Sequence, residues 1–168
     1  IDTLIGRTKR YLYEKGEWHP DEESSFTPAL VNRIDRNTSG IVICAKTAEA
    51  LRILNQKMKD RELHKLYLCI VHGKLKKETD TLEGYLVKDE KKNKVFVSKK
   101  SSDESKYIKT KYRLLGYKDG LSLVEVDLLT GRTHQIRAHM ASIGHPLLGD
   151  GKYGTNELNK KLRNKKQC

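Results

Sequence analysis

The feature that most restricts how this chain can fold is the stretch from residue 65 to about residue 129, where short alternating segments follow one another at hairpin spacing. In residues 65–71, Leu66, Leu68 and Ile70 point one way and Lys65, Tyr67, Cys69 and Val71 the other, because successive side chains of a strand leave opposite faces. Segments 83–88 and 94–99 read as a hairpin around a Lys-rich turn at 89–93, and 107–117 and 121–129 as a second hairpin around Asp119-Gly120. Consecutive hairpins imply an antiparallel sheet. Around it the pattern changes to helical spacing. Leu4, Ile5, Tyr11 and Leu12 predict a helix within residues 1–15, followed by an irregular connection through Gly16, Pro20 and a Glu/Ser-rich run to Pro28. The apolar run 41–45 predicts a short buried strand, and Thr47 then caps a helix carrying Leu51, Leu54 and Met58 on one face. After Thr130-Gly131 comes a helix with Ile136, Met140 and Ile143 in one stripe, ended by Gly144 with Pro146 beyond. The fold class is therefore α+β, a mostly antiparallel mixed sheet with flanking helices. At 168 residues, with no internal repeat and no linker, the chain reads as one domain.

The net charge of +12 and pI of about 9.6 favour an anionic partner such as nucleic acid. Its distribution says more: residues 88–113 carry +6 and residues 152–168 carry +5, leaving +1 for everything else. Such segments are either solubilising surface or phosphate-holding, and charge alone does not choose. No apolar run approaches the roughly 18 residues that cross a bilayer, and the amino end has no signal-peptide pattern, so a cytoplasmic, non-membrane protein is expected. Cys44, Cys69 and Cys168 form no C-x-x-C pair and read as thiols of a reducing compartment. A first residue Ile1 and a last residue Cys168 after a Lys-rich stretch read as a piece of something longer.

Gly149, Gly151 and Gly154 spell G-x-G-x-x-G, but the pattern follows a helix and lacks the acidic residue about 20 positions on, so these glycines read as turn formers. His134 and His139 lie about 140° apart around a helix and cannot share a zinc ion, and no G-x-x-x-x-G-K-[ST] loop supports ATP-driven chemistry. Three segments remain. Residues 32–40, N-R-I-D-R-N-T-S-G, place Asp35 between Arg33 and Arg36, an arrangement that keeps a carboxylate ionised. Residues 65–73, K-L-Y-L-C-I-V-H-G, put Lys65 and Tyr67 on one strand face. Residues 131–137, G-R-T-H-Q-I-R, open a helix with polar groups and carry Arg132, Ile136 and Arg137. Each alone has an ordinary explanation: a turn fixed by an Asp, an edge strand, a capped helix.

Together the three segments resemble the H-R-L-D-x-x-T-S-G, K-x-Y-x-x-x-V-x-G and G-R-T-H-Q-I-R-A-H motifs of the RluA-like pseudouridine synthases, in the same order, with H-P-L-L-G-D-x-x-Y-G at residues 145–154 similar to the finish of family members. The resemblance runs from Leu30 to Gly154. It implies isomerisation of uridine to pseudouridine in structured RNA without redox cofactor, metal or ATP. It places the catalytic aspartate on Asp35, as nucleophile or as the group that starts glycal formation. It makes Arg137 the partner of that carboxylate, Tyr67 the ring that stacks on the base and takes part in proton removal, and Ile136 the packing surface opposite. Arg33 matches the arginine that enters the gap left by a flipped base, and Lys65, Arg132 and the basic segments would meet RNA. The implied substrate is large-subunit rRNA, with tRNA as the alternative, and a monomer is expected. Asn32 stands where the family usually has His, and Cys69 where a small Ala is common. The family pattern also implies further strands before residue 1 and after Gly154, and in many members an upstream S4-type RNA-binding domain.

Readings from other classes stay open at this stage. A glycoside hydrolase would need a second carboxyl group, and no motif pairs one with Asp35. A non-catalytic basic RNA-binding module would explain the charge equally well.

Overall fold

The computed structural model describes residues 2–22, 26–91 and 93–160. Lys92, the Glu/Ser run at 23–25, the basic residues from 161 onward and Cys168 lie outside the described residues. The chain divides into two compact units, Ile1–Leu63 and His64–Cys168.

In the first unit, helix α1 spans Leu4–Glu14, where helical spacing places it; the Thr3 hydroxyl accepts from the Gly6 N–H at 3.1 Å and Leu12 is buried. Strands β1 (Ala29–Leu30) and β2 (Cys44–Ala45) pair antiparallel, with Ala29 opposite Ala45 and Leu30 opposite Cys44. The strand expected over 41–45 is thus only two residues long, and Ile41 is 83% exposed rather than buried. The cause is Asn32. The Val31 N–H still donates to the Ile43 carbonyl at 2.8 Å, but the Ile43 N–H turns to the Asn32 Oδ1 at 2.7 Å and the Asn32 Nδ2 donates to the Ile41 carbonyl at 3.1 Å, so a side-chain amide takes over where the backbone ladder stops. Helix α2 (Ala48–Lys59) begins at Thr47, whose hydroxyl accepts from the Ala50 N–H at 3.1 Å, and its Leu51, Leu54 and Met58 are half-buried as their shared face requires.

In the second unit, β3 (Leu66–His72), β4 (Thr79–Asp89), β5 (Lys94–Ser98), β6 (Lys106–Lys118) and β7 (Leu121–Leu128) form one sheet in the order β3-β7-β6-β4-β5. Every pairing in it is antiparallel. The β6–β7 turn holds Asp119 at φ 50° and Gly120 at φ 78°, the two left-handed residues a two-residue hairpin demands, which Asp tolerates and Gly adopts freely. On β3 the alternation is as expected: Cys69 and Val71 are buried, whereas Leu66 and Leu68 leave the other face at 59% and 67% exposed. The core joins Cys69 and Val71 to Leu75, Tyr112, Val124, Val126, Met140 and Leu147.

Helix α3 (Gln135–Ser142) covers this face, but not through the expected stripe. Met140 is buried, Ile136 half-buried and Ile143 37% exposed, while Gln135, Ala138 and His139 are buried in their place. Two buried polar residues are tolerated because both are bonded. Gln135 Nε2 donates to the Thr110 hydroxyl at 2.9 Å and to the Lys109 carbonyl at 3.1 Å, and His139 Nδ1 lies 2.9 Å from the same hydroxyl. A short helix α4 (Asn156–Asn159) follows in the region without apolar period.

Burial lowers the His139 pKa from 6.5 to about 4, so the folded state holds this ring neutral. The unfolded chain takes up the proton near pH 6.5 and the folded chain only near pH 4, so this contribution to stability is complete above pH 6.5. It falls by about 3 kcal/mol as pH drops to 4. Urea unfolding midpoints between pH 7.5 and 4.5 should decline along this window, and the decline should flatten in His139→Asn. A decline of equal size in that variant would assign it to other groups.

Candidate functional site

In the first unit, Asp35 sits in the loop between β1 and β2, at a turn in which its carbonyl accepts from the Thr38 N–H at 3.0 Å. Asn32 ties the two arms of the loop together, so the residue at the usual histidine position has a defined role in shaping it. Asp35 is half-buried, while its neighbours Arg33 and Arg36 are exposed. The loop thus presents two guanidinium-bearing side chains to solvent around a more protected carboxylate.

In the second unit, Tyr67 lies on β3 opposite Val126, half-buried, and packs against the same core cluster as Ile136 from α3. Lys65 precedes β3; its carbonyl accepts from the Leu128 N–H at 3.1 Å. Its Nζ lies only 3.3 Å from where a Cβ on Gly131 would be, so the second and third motif segments touch here and a side chain at 131 would crowd the lysine. Arg132 is exposed, in the turn before α3, with its backbone N–H donating to Gln135 Oε1 at 3.0 Å. The helix itself starts at Gln135, with His134 as N-cap in the left-handed region at φ 55°. Arg132 therefore lies in the approach to the helix rather than in its first turn.

Arg137 has a partner that the sequence reading did not identify. Its Nε donates to Asp150 Oδ2 at 2.8 Å and its Nη2 to Oδ1 at 3.0 Å, a two-pronged ion pair in which the Asp150 side chain is 0% exposed. The same Oδ1 accepts from the backbone N–H groups of Lys152 at 2.8 Å and Tyr153 at 3.0 Å. Burial pushes the Asp150 carboxyl upward, but Arg137 and the two N–H groups outweigh it and hold the pKa below the ordinary carboxylate value. The Tyr153 ring lies 5.0 Å from the Arg137 guanidinium carbon; its hydroxyl is 2.9 Å from His134 Nδ1 and accepts from the Val95 N–H at 3.2 Å. Asn159 braces the turn from behind, Nδ2 donating to the Asp150 carbonyl at 3.1 Å and Oδ1 accepting from the Gly149 N–H at 3.0 Å. Gly154 has no alternative here, because a Cβ would stand 2.5 Å from the Asp150 carbonyl oxygen. The one sequence sign of this partner was the acidic residue within the apolar H-P-L-L-G-D string.

Cys69 is buried, which raises its thiol pKa to about 12 and leaves it unreactive at neutral pH. Among the described residues no group of three or more His, Cys, Asp or Glu is placed to hold a metal ion, and no helix is long and apolar enough to cross a membrane.

An antiparallel sheet with α3 packed on one face is the fold of pseudouridylate synthase domains. The solved structures of human RNA Pseudouridylate Synthase Domain Containing 1 and 4 each align with a TM-score of 0.72, at 23% and 21% identity, covering 84% and 90% of this chain and 60% of each of theirs. The model of the RNA pseudouridylate synthase family matches residues 6–142, and the chain belongs to that family. It is 39% identical over 132 residues to ribosomal large subunit pseudouridine synthase D of Borreliella burgdorferi, covering 79% of this chain and 40% of the relative. It is 36% identical over 140 residues to ribosomal large subunit pseudouridine synthase C of Buchnera aphidicola, covering 81% and 43%. The chain thus spans about two-fifths of the length of these curated relatives.

Proposed function

We propose that this chain carries the catalytic residues of an RNA pseudouridine synthase that isomerises specific uridines in structured RNA, with large-subunit rRNA as the substrate. The observation that carries this reading is the family match over residues 6–142, which contains Asp35, Tyr67 and Arg137 with their surrounding motifs. Support for the substrate comes from the ribosomal names of the relatives and from the +6 charge of residues 88–113.

In this reading the N1–C1′ bond of uridine breaks, the uracil turns, and a C5–C1′ bond forms. The C5 proton leaves and N1 gains one, so the product is an isomer and no electrons are exchanged with an outside partner. Asp35 starts the step, by attack at C1′ or by promoting glycal formation. The family pattern gives Arg137 the part of the cation that keeps the reacting carboxylate ionised. Tyr67 and Ile136, which both pack on the core of one sheet face, supply a ring and an aliphatic surface for the base. Arg33 fills the gap left by the flipped nucleotide, and Lys65 and Arg132 hold the backbone around it. The chain acts as a monomer.

The test is to map pseudouridines by carbodiimide primer extension in cells with and without the gene. Loss of one or more sites in large-subunit rRNA is the expected outcome. Loss confined to tRNA would redirect the substrate, and an unchanged map would overturn the assignment.

A further inference from the structure

We propose that Asp150 is a positioning residue for the reaction, holding the Arg137 guanidinium in one plane and one heading. The proposal rests on the reading of Arg137 as the partner of Asp35, and it adds a residue outside the three motifs.

An arginine on a short helix has four rotatable side-chain bonds, and a guanidinium left to solvent samples many orientations. Here two contacts remove that freedom. The carboxylate grips the Nε and Nη2 donors together, at 2.8 and 3.0 Å, which fixes rotation within the plane. The Tyr153 ring, 5.0 Å from the guanidinium carbon, limits tilting of that plane. The grip is only as rigid as its own support, and that support is dense. Asp150 is held by two backbone N–H groups of its turn, and its carbonyl accepts from Asn159 Nδ2 and from the Gly154 N–H at 2.9 Å. Tyr153 is anchored in turn to His134 at the start of α3 and to Val95 on β5. All of this polar structure converges on one buried carboxylate. What it accomplishes is a fixed heading for Arg137, the kind of support that displaced by about 1 Å costs on the order of a hundredfold in rate.

The test uses the full-length protein with Asp150→Asn, which keeps the size of the side chain and removes the charge. The single-turnover rate of tritium release from 5-tritiated RNA should fall about 30-fold while the RNA dissociation constant stays within about threefold, since position and not affinity is lost. In parallel, the slowly exchanging Nε–H proton resonance of Arg137, assigned by its loss in Arg137→Lys, should persist in Asp35→Asn and vanish in Asp150→Asn. A rate within threefold of the wild type, or an Nε–H resonance that persists in Asp150→Asn, would overturn the proposal. If Asp150→Asn does not fold, Asn159→Ala removes the brace without touching the ion pair. It should slow turnover about fivefold at unchanged RNA affinity, and an unchanged rate there overturns the proposal equally. A wild-type protein that makes no pseudouridine would instead sink the assigned activity, and the resonance alone would then decide whether Asp150 orients Arg137.

Discussion

Asp35→Asn is expected to abolish pseudouridine formation, with a rate loss of at least about 10⁴-fold, the scale reached when a carboxylate at the reacting centre becomes an amide. The two side chains have the same shape, but the amide neither attacks a sugar carbon nor bears a negative charge. The contacts that close the loop should survive. The loop is closed by the Asn32 amide and by the Asp35 carbonyl accepting from Thr38, and neither contact uses the Asp35 carboxyl group. RNA affinity should stay within a few fold, and a small gain is reasonable because a negative charge is removed beside phosphates. Tritium release from 5-tritiated RNA checks the first part and filter binding the second. Unchanged turnover would reject Asp35 as the reacting group. A protein that only binds RNA would behave differently again: Asp35→Ala would raise affinity, and neither it nor the wild type would yield product.

What could be read in advance depends on how local the cause is. The β6–β7 hairpin was legible because period-two alternation and an Asp-Gly pair at φ 50° and 78° are both properties of adjacent residues. The start of α2 was legible for the same reason, with the Thr47 cap and its acceptor three residues apart. The buried face of α3 was not, because hydrophobicity assigns Gln135 and His139 to solvent. Their partners Thr110 and Lys109 are 25 or more positions away, on a strand whose neighbour in space the helix becomes only after folding. The short β1–β2 pair was missed for a related reason: Asn32 ends the ladder with a side chain whose carbonyl partner is Ile41, nine positions on. The same divide runs through the site. Lys65 and Gly131 come together as the order of their motifs allowed. Asp150 was visible only as an acid in a turn, since its burial and its two-pronged bond to Arg137 exist only in the folded sheet.

Arg137→Ala reads from the sequence as a loss of activity with the fold intact, and the Asp150 pair changes that expectation. Removing the guanidinium leaves a carboxylate with 0% side-chain exposure facing an empty position, with the backbone N–H groups of Lys152 and Tyr153 still donating to it. Breaking a buried pair in this way costs about 3–5 kcal/mol, because the desolvated charge loses its compensation. Without Arg137, the strongest pull holding the Asp150 pKa down is gone, and it rises from its lowered position. The sign follows: below about pH 4 the carboxyl is protonated in both folded and unfolded chains and the penalty is small, and it grows as pH rises toward 7. Urea unfolding of Arg137→Ala should therefore show a deficit at pH 7 that shrinks on acidification, opposite to the trend His139 imposes. The double variant Arg137→Ala/Asp150→Asn removes the orphaned charge and should regain about 2 kcal/mol over the single variant. Neither should make pseudouridine, so recovered stability without recovered turnover separates what Arg137 does for the fold from what it does in the reaction. Strictly additive effects of the two substitutions would mean that the pair, despite its geometry, carries no coupling.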